Sequence, residues 1–221
     1  MPEPSVAELM HRHVITAVPD TPVKELAGIM ITRDIDALPV IDVAGHPVGV
    51  VTEADVLTKL EFRCGTEFPP LLSSGRCRNR WRKSAGLTAA ELMTSPAVTV
   101  GGDEPLHVAV RVLATRRLRQ VCVVSERGQL VGVLTRQDAM RVFLRGDSSI
   151  RADVERELTE LAGDADQVTV EIADGVVTLS GTLSLRSVAE HAGRLSHQVP
   201  GVIGVHNNLH YDIDDLVITG L

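Results

Sequence analysis

"GVVTEADVL" spans residues 49–57, and "GVLTRQDAM" spans residues 132–140. Each runs from a glycine through two apolar residues to a threonine, with an aspartate three positions further on. Taken alone, T-x-x-D reads as a helix cap. The Thr hydroxyl accepts from the third helical N–H, and an acid at that position favours the positive helix end. Met twice in one chain, it asks whether the surroundings are doubled too. At an offset of 83 residues they are. "AELM" at 7–10 returns at 90–93, Thr16 as Thr99, Asp20 as Asp103, Pro22 as Pro105, Arg33 as Arg116 and Gly45 as Gly128. Val48, Gly49, Val50, Thr52 and Asp55 then match Val131, Gly132, Val133, Thr135 and Asp138 without a gap. Identities that keep one register over such a length point to a tandem duplication.

Both copies carry the same periodicities. A β-prone segment ("VITAV", "AVTV") leads through a proline turn into an amphipathic helix, with Val23, Leu26, Ala27 and Met30 on one face in the first copy. Leu106, Ala109, Val110 and Leu113 do the same in the second. Two short strands follow, "ALPVID" and "PVGVVT", then "QVCVVS" and "LVGVLT", with Gly45 and Gly128 marking the turns. A closing helix runs from Glu53 to about Leu60, and from Arg136 to about Leu144. The order β-α-β-β-α, twice, predicts an α/β (α+β) chain.

That order, the "ALPVID" segment and the doubled G-h-h-T-x-x-D ending resemble the CBS domain, the cystathionine-β-synthase type of regulatory repeat, over roughly residues 5–145. The resemblance implies two repeats packed as a pseudo-twofold pair that bind an adenine-containing ligand. In such pairs the motif aspartate holds the ribose hydroxyls, the threonine reaches phosphate, and apolar residues sandwich the base. Carried over, one site comprises Ile35, Asp36, Ala37, Val50, Thr52 and Asp55, lined also by Thr16. The other comprises Leu118, Arg119, Gln120, Val133, Thr135 and Asp138, lined by Thr99. A helix N-terminus with free N–H groups suits phosphate. Arg116, Arg117 and Arg119 crowd the second copy, where the first has only Arg33, so the second site is expected to favour the more charged ligand. A solvated basic face is the other reading of those arginines. Asp36 stands in the first copy where Arg119 stands in the second, which places opposite charges at two different sites.

Composition limits the alternatives. With 221 residues, 44% hydrophobic and 23% charged, the chain reads as globular, and aromatics at 2% leave the core to Val, Leu, Ile and Ala. No apolar run approaches the roughly 20 residues that span a bilayer, and "MPEPSVAELMHRHV" lacks the pattern of a secretory leader. Three cysteines, Cys64, Cys77 and Cys122, have no paired spacing, which fits a reducing, cytoplasmic setting. Residues 1–149 carry 18 Lys+Arg against 17 Asp+Glu, whereas 150–221 carry 4 against 12. That asymmetry marks a separate C-terminal module and argues against its binding nucleic acid or anionic lipid by charge.

The expected parts are therefore repeat one (1–60), a linker (61–86), repeat two (87–147) and a module from 148 to the end. The linker contains Pro69-Pro70 and Ser73-Ser74-Gly75, which predict irregular structure, then Arg76, Arg78, Arg80, Arg82 and Lys83 around Trp81. Trp81 either stacks on a nucleic-acid base or packs the linker against the pair, and one basic run in an acidic protein favours packing. His11, His13, Cys64 and Cys77 lack metal-site spacing, so no metal is expected. In the module, Ile150, Val154, Leu158 and Leu161 mark a helix, and "VTVEIADGVVTLSG" reads as a hairpin about Asp174-Gly175. A second helix follows (Val188, Ala189, Ala192, Leu195), and then the strand "VIGVHNNLHY". This α-β-β-α-β unit is similar to a BON domain over about 148–212, through Gly175, Gly181, Gly201, Val205 and Asn207. BON domains are linked with envelope, phospholipid or other ligand contacts. The acidic charge favours a protein or small-ligand partner here, with no membrane role expected.

No Ser-His-Asp, Cys-His or phosphate-loop arrangement appears. The sequence reads as a non-catalytic regulator without a catalytic cofactor. Its CBS pair is expected to bind AMP, ADP, ATP or S-adenosylmethionine, form a homodimer through helical faces, and relay occupancy to a protein partner of the BON module. The alternative is an adaptor whose CBS pair only dimerises.

Overall fold

The computed structural model describes residues 3–67, 74–162 and 168–216. The chain forms two compact units, Ser5–Arg136 and a second built on the chain from Gln137 onward. Pro69, Pro70 and Ser73 lie outside the described residues. Among those described, no helix is long and apolar enough to cross a membrane.

In the first unit, a short helix α1 (Val6–Leu9) precedes α2 (Val23–Arg33), β1 (Ala37–Ile41), β2 (Pro47–Thr52) and α3 (Glu53–Glu61). Helix α4 (Gly75–Ala85) stands between the repeats. The second repeat runs α5 (Ala89–Leu92), β3 (Thr99–Gly101), α6 (Leu106–Thr115), β4 (Gln120–Val124), β5 (Leu130–Thr135) and α7 (Arg136–Met140), and a 3-10 turn over Arg141–Leu144 finishes the expected closing helix. The hairpins β1–β2 and β4–β5 are antiparallel and share a bulge at the same repeat position, between Val40/Ile41 and Val123/Val124. Their turns need Gly45 and Gly128, both with positive φ.

The first copy departs from expectation at its leading strand. Thr99–Gly101 pairs in parallel with β4, but residues 14–17 contribute only a bridge from Ala17 to Val40. The reason lies in one substitution. Cys122 N donates to Val98 O at 3.2 Å, and its repeat mate is Pro39, which has no N–H to donate. The linker departs as well. Ser74 caps α4 by accepting from Cys77 N, so a helix starts at Gly75 where an irregular stretch was expected.

The repeats exchange their leading segments. Val6 N donates to Glu104 O, and its mate Ala89 N donates to Thr21 O. His11 N donates to Val133 O as Thr94 N donates to Val50 O, with both return bonds made. Met10 covers Gly132 and Met93 covers Gly49, where a Cβ would collide with the thioether. Each of these contacts has its counterpart at the 83-residue offset, which makes the pair a pseudo-twofold one. The core follows the exchange: Leu26, Met30, Leu38, Val40 and Val51 of repeat one pack with Ala89 and Leu92 of α5. Such packing needs small and branched side chains at close approach, as the near absence of aromatics predicts.

Beyond the residues of α7 and the 3-10 turn from Gln137 onward, the second unit is the expected α-β-β-α-β module: α8 (Asp147–Ala162), β6 (Val168–Ala173), β7 (Val176–Leu185), α9 (Arg186–Gln198) and β8 (Gly204–Ile213). β7 is central, antiparallel to β6 and parallel to β8. One sheet face packs Val170, Val177 and Leu179 on Ile150, Val154, Leu158 and Ala192 of the helices. The Asp174-Gly175 turn takes positive φ at both residues and is anchored by Asp147, whose carboxylate accepts from both backbone N–H groups. Asn207 Nδ2 donates to Ala189 O at 2.8 Å, tying β8 to α9.

Buried Asp153 on α8 accepts from Arg145 and Arg156. The Arg145 hydrogen bond, chiefly, holds its carboxyl below the usual carboxylate range of about 3.9. A depressed folded value contributes stability that is present above pH ~4 and lost as pH falls through the folded value. Asp153→Asn is therefore expected to lower the stability of this unit at neutral pH and to flatten its acid limb below about pH 4, measured by circular dichroism on the full chain.

Candidate functional site

A cavity of about 410 Å³ opens in the first unit, within the usual range for small-ligand sites. Its apolar wall comes from Val50 of β2, from Ala54 and Leu57 of α3, and from Pro96, Ala97 and Val98 before β3. Its polar residues are Thr52 and Thr94, with Asp36, Glu53, Arg117, Arg119 and Gln120. An apolar slot beside hydroxyls and guanidinium groups can take a flat heterocycle at one end and an anion at the other.

Residues expected at two separate sites meet around this one cavity: Asp36, Ala37, Val50 and Thr52 from the first set, and Leu118, Arg119 and Gln120 from the second. The pseudo-twofold axis explains the merger. The turns before β1 and β4 are repeat mates, and the axis sets them against each other. Arg119 Nη1 donates to Asp36 Oδ2 at 2.8 Å, between positions 83 apart. The expectation that Asp36 and Arg119 charge two different sites is thus corrected, because they form one ion pair on one cavity. Both side chains are exposed, so the pair contributes little to stability.

Other expected residues lie elsewhere. Thr16 lines a second cavity of about 350 Å³ with Arg12, Ile41 and Gln129. Ile35 packs against the core around Leu26 and Leu38. Thr99 is exposed in β3, and Arg116 is exposed at the end of α6. Val133 is buried in β5 beside half-buried Thr135. Asp138 belongs to the second unit, where its carboxylate is buried 3.7 Å from the Arg141 guanidinium.

The cap reading of Thr52 and Asp55 holds in full. Asp55 N donates to Thr52 Oγ1 at 3.3 Å, while Thr52 N and Oγ1 donate to Asp55 Oδ2 at 2.9 and 2.7 Å. The sequence offered no sign of what holds the other carboxylate oxygen. Lys83 Nζ of α4 donates to Asp55 Oδ1 at 2.6 Å and to Thr94 Oγ1 at 2.8 Å. Its side chain is 6% exposed and that of Asp55 14%. Lys83 sits in a run of five basic residues, and nothing in that run separates it from its neighbours. Helical spacing alone turns it inward. Trp81, the other prominent linker residue, is half-buried, with its indole N–H donating to Gly65 O at 3.3 Å.

Cys122, buried in β4, has its thiol pushed up to about 11 by burial. Among the described residues, no group of three or more His, Cys, Asp or Glu is placed to hold a metal ion.

The CBS domain family model matches residues 6–61 and 89–145, and the BON domain model matches residues 146–212. The chain belongs to the CBS-domain family, as a CBS pair followed by a BON domain. An uncharacterised protein of Methanopyrus kandleri is 27% identical over 138 residues, 62% of each chain. The chloroplastic CBS domain-containing protein CBSX2 of Arabidopsis thaliana is 30% identical over 142 residues, 60% of this chain and 59% of that one. The chain thus spans about three fifths of the length of these relatives. The crystal structure of CBSX2 in complex with AMP matches with a TM-score of 0.54 at 26% identity, over 63% of this chain and 96% of that one. The CBS domain pair of protein MJ0100, in complex with 5′-methylthioadenosine and S-adenosyl-L-methionine, matches with a TM-score of 0.50 at 28% identity, over 64% and 97%.

Thr52→Ala removes the α3 cap and two of the hydrogen bonds that meet there. Thermal unfolding of this variant is expected to show a loss of about 1 kcal/mol, typical for a deleted N-cap.

Proposed function

We propose that this protein is a non-catalytic regulator whose CBS pair binds an adenine-containing ligand (AMP, ADP, ATP or S-adenosylmethionine) in the 410 Å³ cavity. The observation that carries the reading is the make-up of that cavity, an apolar slot whose polar lining holds two threonines and two arginines beside Gln120 and the acids Asp36 and Glu53. In this reading Val50, Ala54 and Leu118 enclose the base, Asp55 meets the ribose, and Thr52 and Arg119 serve the phosphate. Support comes from the AMP-bound and S-adenosylmethionine-bound CBS pairs to which the fold is similar. A phosphate arriving at Arg119 competes with Asp36 for the same guanidinium. Occupancy therefore rearranges the one ion pair that joins the two repeats at this point, and a shift between two arrangements of the pair is what a BON-borne contact would sense.

Isothermal titration with AMP, ATP and S-adenosylmethionine is expected to give saturable heat. Arg119→Ala should weaken the phosphorylated ligands far more than adenosine. No heat and no thermal shift at roughly millimolar ligand would sink the sensor reading and leave the adaptor one.

Dimerisation belongs to the same reading. Leu57 and Leu60 are 47% and 77% exposed on α3. Two large apolar side chains exposed on one helix suit a helical interface between two copies of the chain. Sedimentation velocity should show a dimer that Leu60→Asp converts to monomer.

A further inference from the structure

The contact between the linker helix and the motif aspartate has a stoichiometry that matters for any ligand. A carboxylate offers about four acceptor positions. Asp55 has already used two on Thr52 and one on Lys83, so one remains. A ribose presents two adjacent hydroxyl donors and needs two. Lys83 also bridges to Thr94, which lines the cavity, so its ammonium group stands between cavity wall and carboxylate. Its neighbours hold it there. Ser84 O accepts from Lys59 Nζ, Trp81 is bonded to Gly65, and Arg80 pairs with Glu61. The position is one a cation favours, in the last turn of α4.

We propose that Lys83 is a built-in competitor for the ribose-binding position of this site, so that full diol recognition by Asp55 and seating of the α4 C-terminal turn exclude each other. The inference rests on the adenine-ligand reading above and deepens it. With Lys83 seated, the site reads base and phosphate but not the diol. With Lys83 displaced, Asp55 reads the diol as well. Because linkage is reciprocal, a ligand that engages both hydroxyls unseats α4 by the same factor by which α4 weakens that ligand. Helix α4 also carries Arg76, Arg78, Arg80 and Arg82, so occupancy of the cavity is converted into a change at a basic helix.

The test compares AMP with 2′-deoxy-AMP on the full chain. In the parent protein, calorimetry should show the two binding with similar affinity. In Lys83→Ala, AMP should gain about tenfold or more, the worth of a hydrogen bond to a charged acceptor, while 2′-deoxy-AMP gains little. Asp55→Asn combined with Lys83→Ala should abolish that gain. A second measurement needs no variant. The chain has three lysines, Lys24, Lys59 and Lys83, so reductive methylation read by mass spectrometry resolves each. Lys83 should be protected, and AMP at saturation should expose it where 2′-deoxy-AMP does not. If AMP binds, yet Lys83 labelling is unchanged and the parent already prefers AMP as strongly as Lys83→Ala does, the inference is overturned and the ligand reading stands. If no adenine ligand binds either protein, both fall together.

Discussion

The exchange of leading segments between the repeats is the constraint on which the first unit depends. A two-stranded hairpin leaves a row of backbone groups unpaired along its edge, and buried groups of that kind must find partners. Here β2 receives its partner from Thr94, and β5 receives its partner from His11. Neither repeat can complete its own edge. The glycines at 49 and 132 permit the approach, since the thioethers of Met93 and Met10 lie where a Cβ would be. The cavity follows from the same arrangement. Pro96, Ala97 and Val98, which wall it, belong to the segment that repeat two lends to repeat one.

Most of the fold was legible because its signals are local and doubled. The alternation in "PVGVVT" and "LVGVLT", the helical spacing of Leu26 and Met30, and the Asp-Gly turn at 174–175 each have a physical cause within a few residues. The two departures, at the first leading strand and at the linker, also have local causes. Pro39 withholds one N–H and shortens the first sheet, and Ser74 supplies a cap that turns an expected loop into α4. Proline was visible in "ALPVID", but its effect depends on which neighbour needed that proton.

The site was legible in kind and less so in layout. Thr52 and Asp55 form a cap, and of the two Thr52 lines the cavity, so capping leaves the threonine placed at the site. What the sequence did not carry is the meeting of distant segments. Lys83 reaches Asp55 across 28 residues and holds Thr94 as its other partner, and neither Lys83 nor Thr94 belongs to a recognisable motif. A lysine within a basic run looks solvated. Only the seating of α4 against α3 makes it a buried ion pair, whose partner charge would be costly to leave alone.

Asp36 and Arg119 carry a consequence of another sort. A position lying on a twofold axis faces its own copy, so in two identical repeats the same residue would meet itself. Aspartate against aspartate, or arginine against arginine, would repel at the mouth of the cavity. A complementary pair at that place is open only to a chain whose halves have become different while remaining covalently joined. Symmetry has been given up where keeping it would set like charge against like, and the cavity beside it has thereby acquired an acid and a base contributed by different repeats.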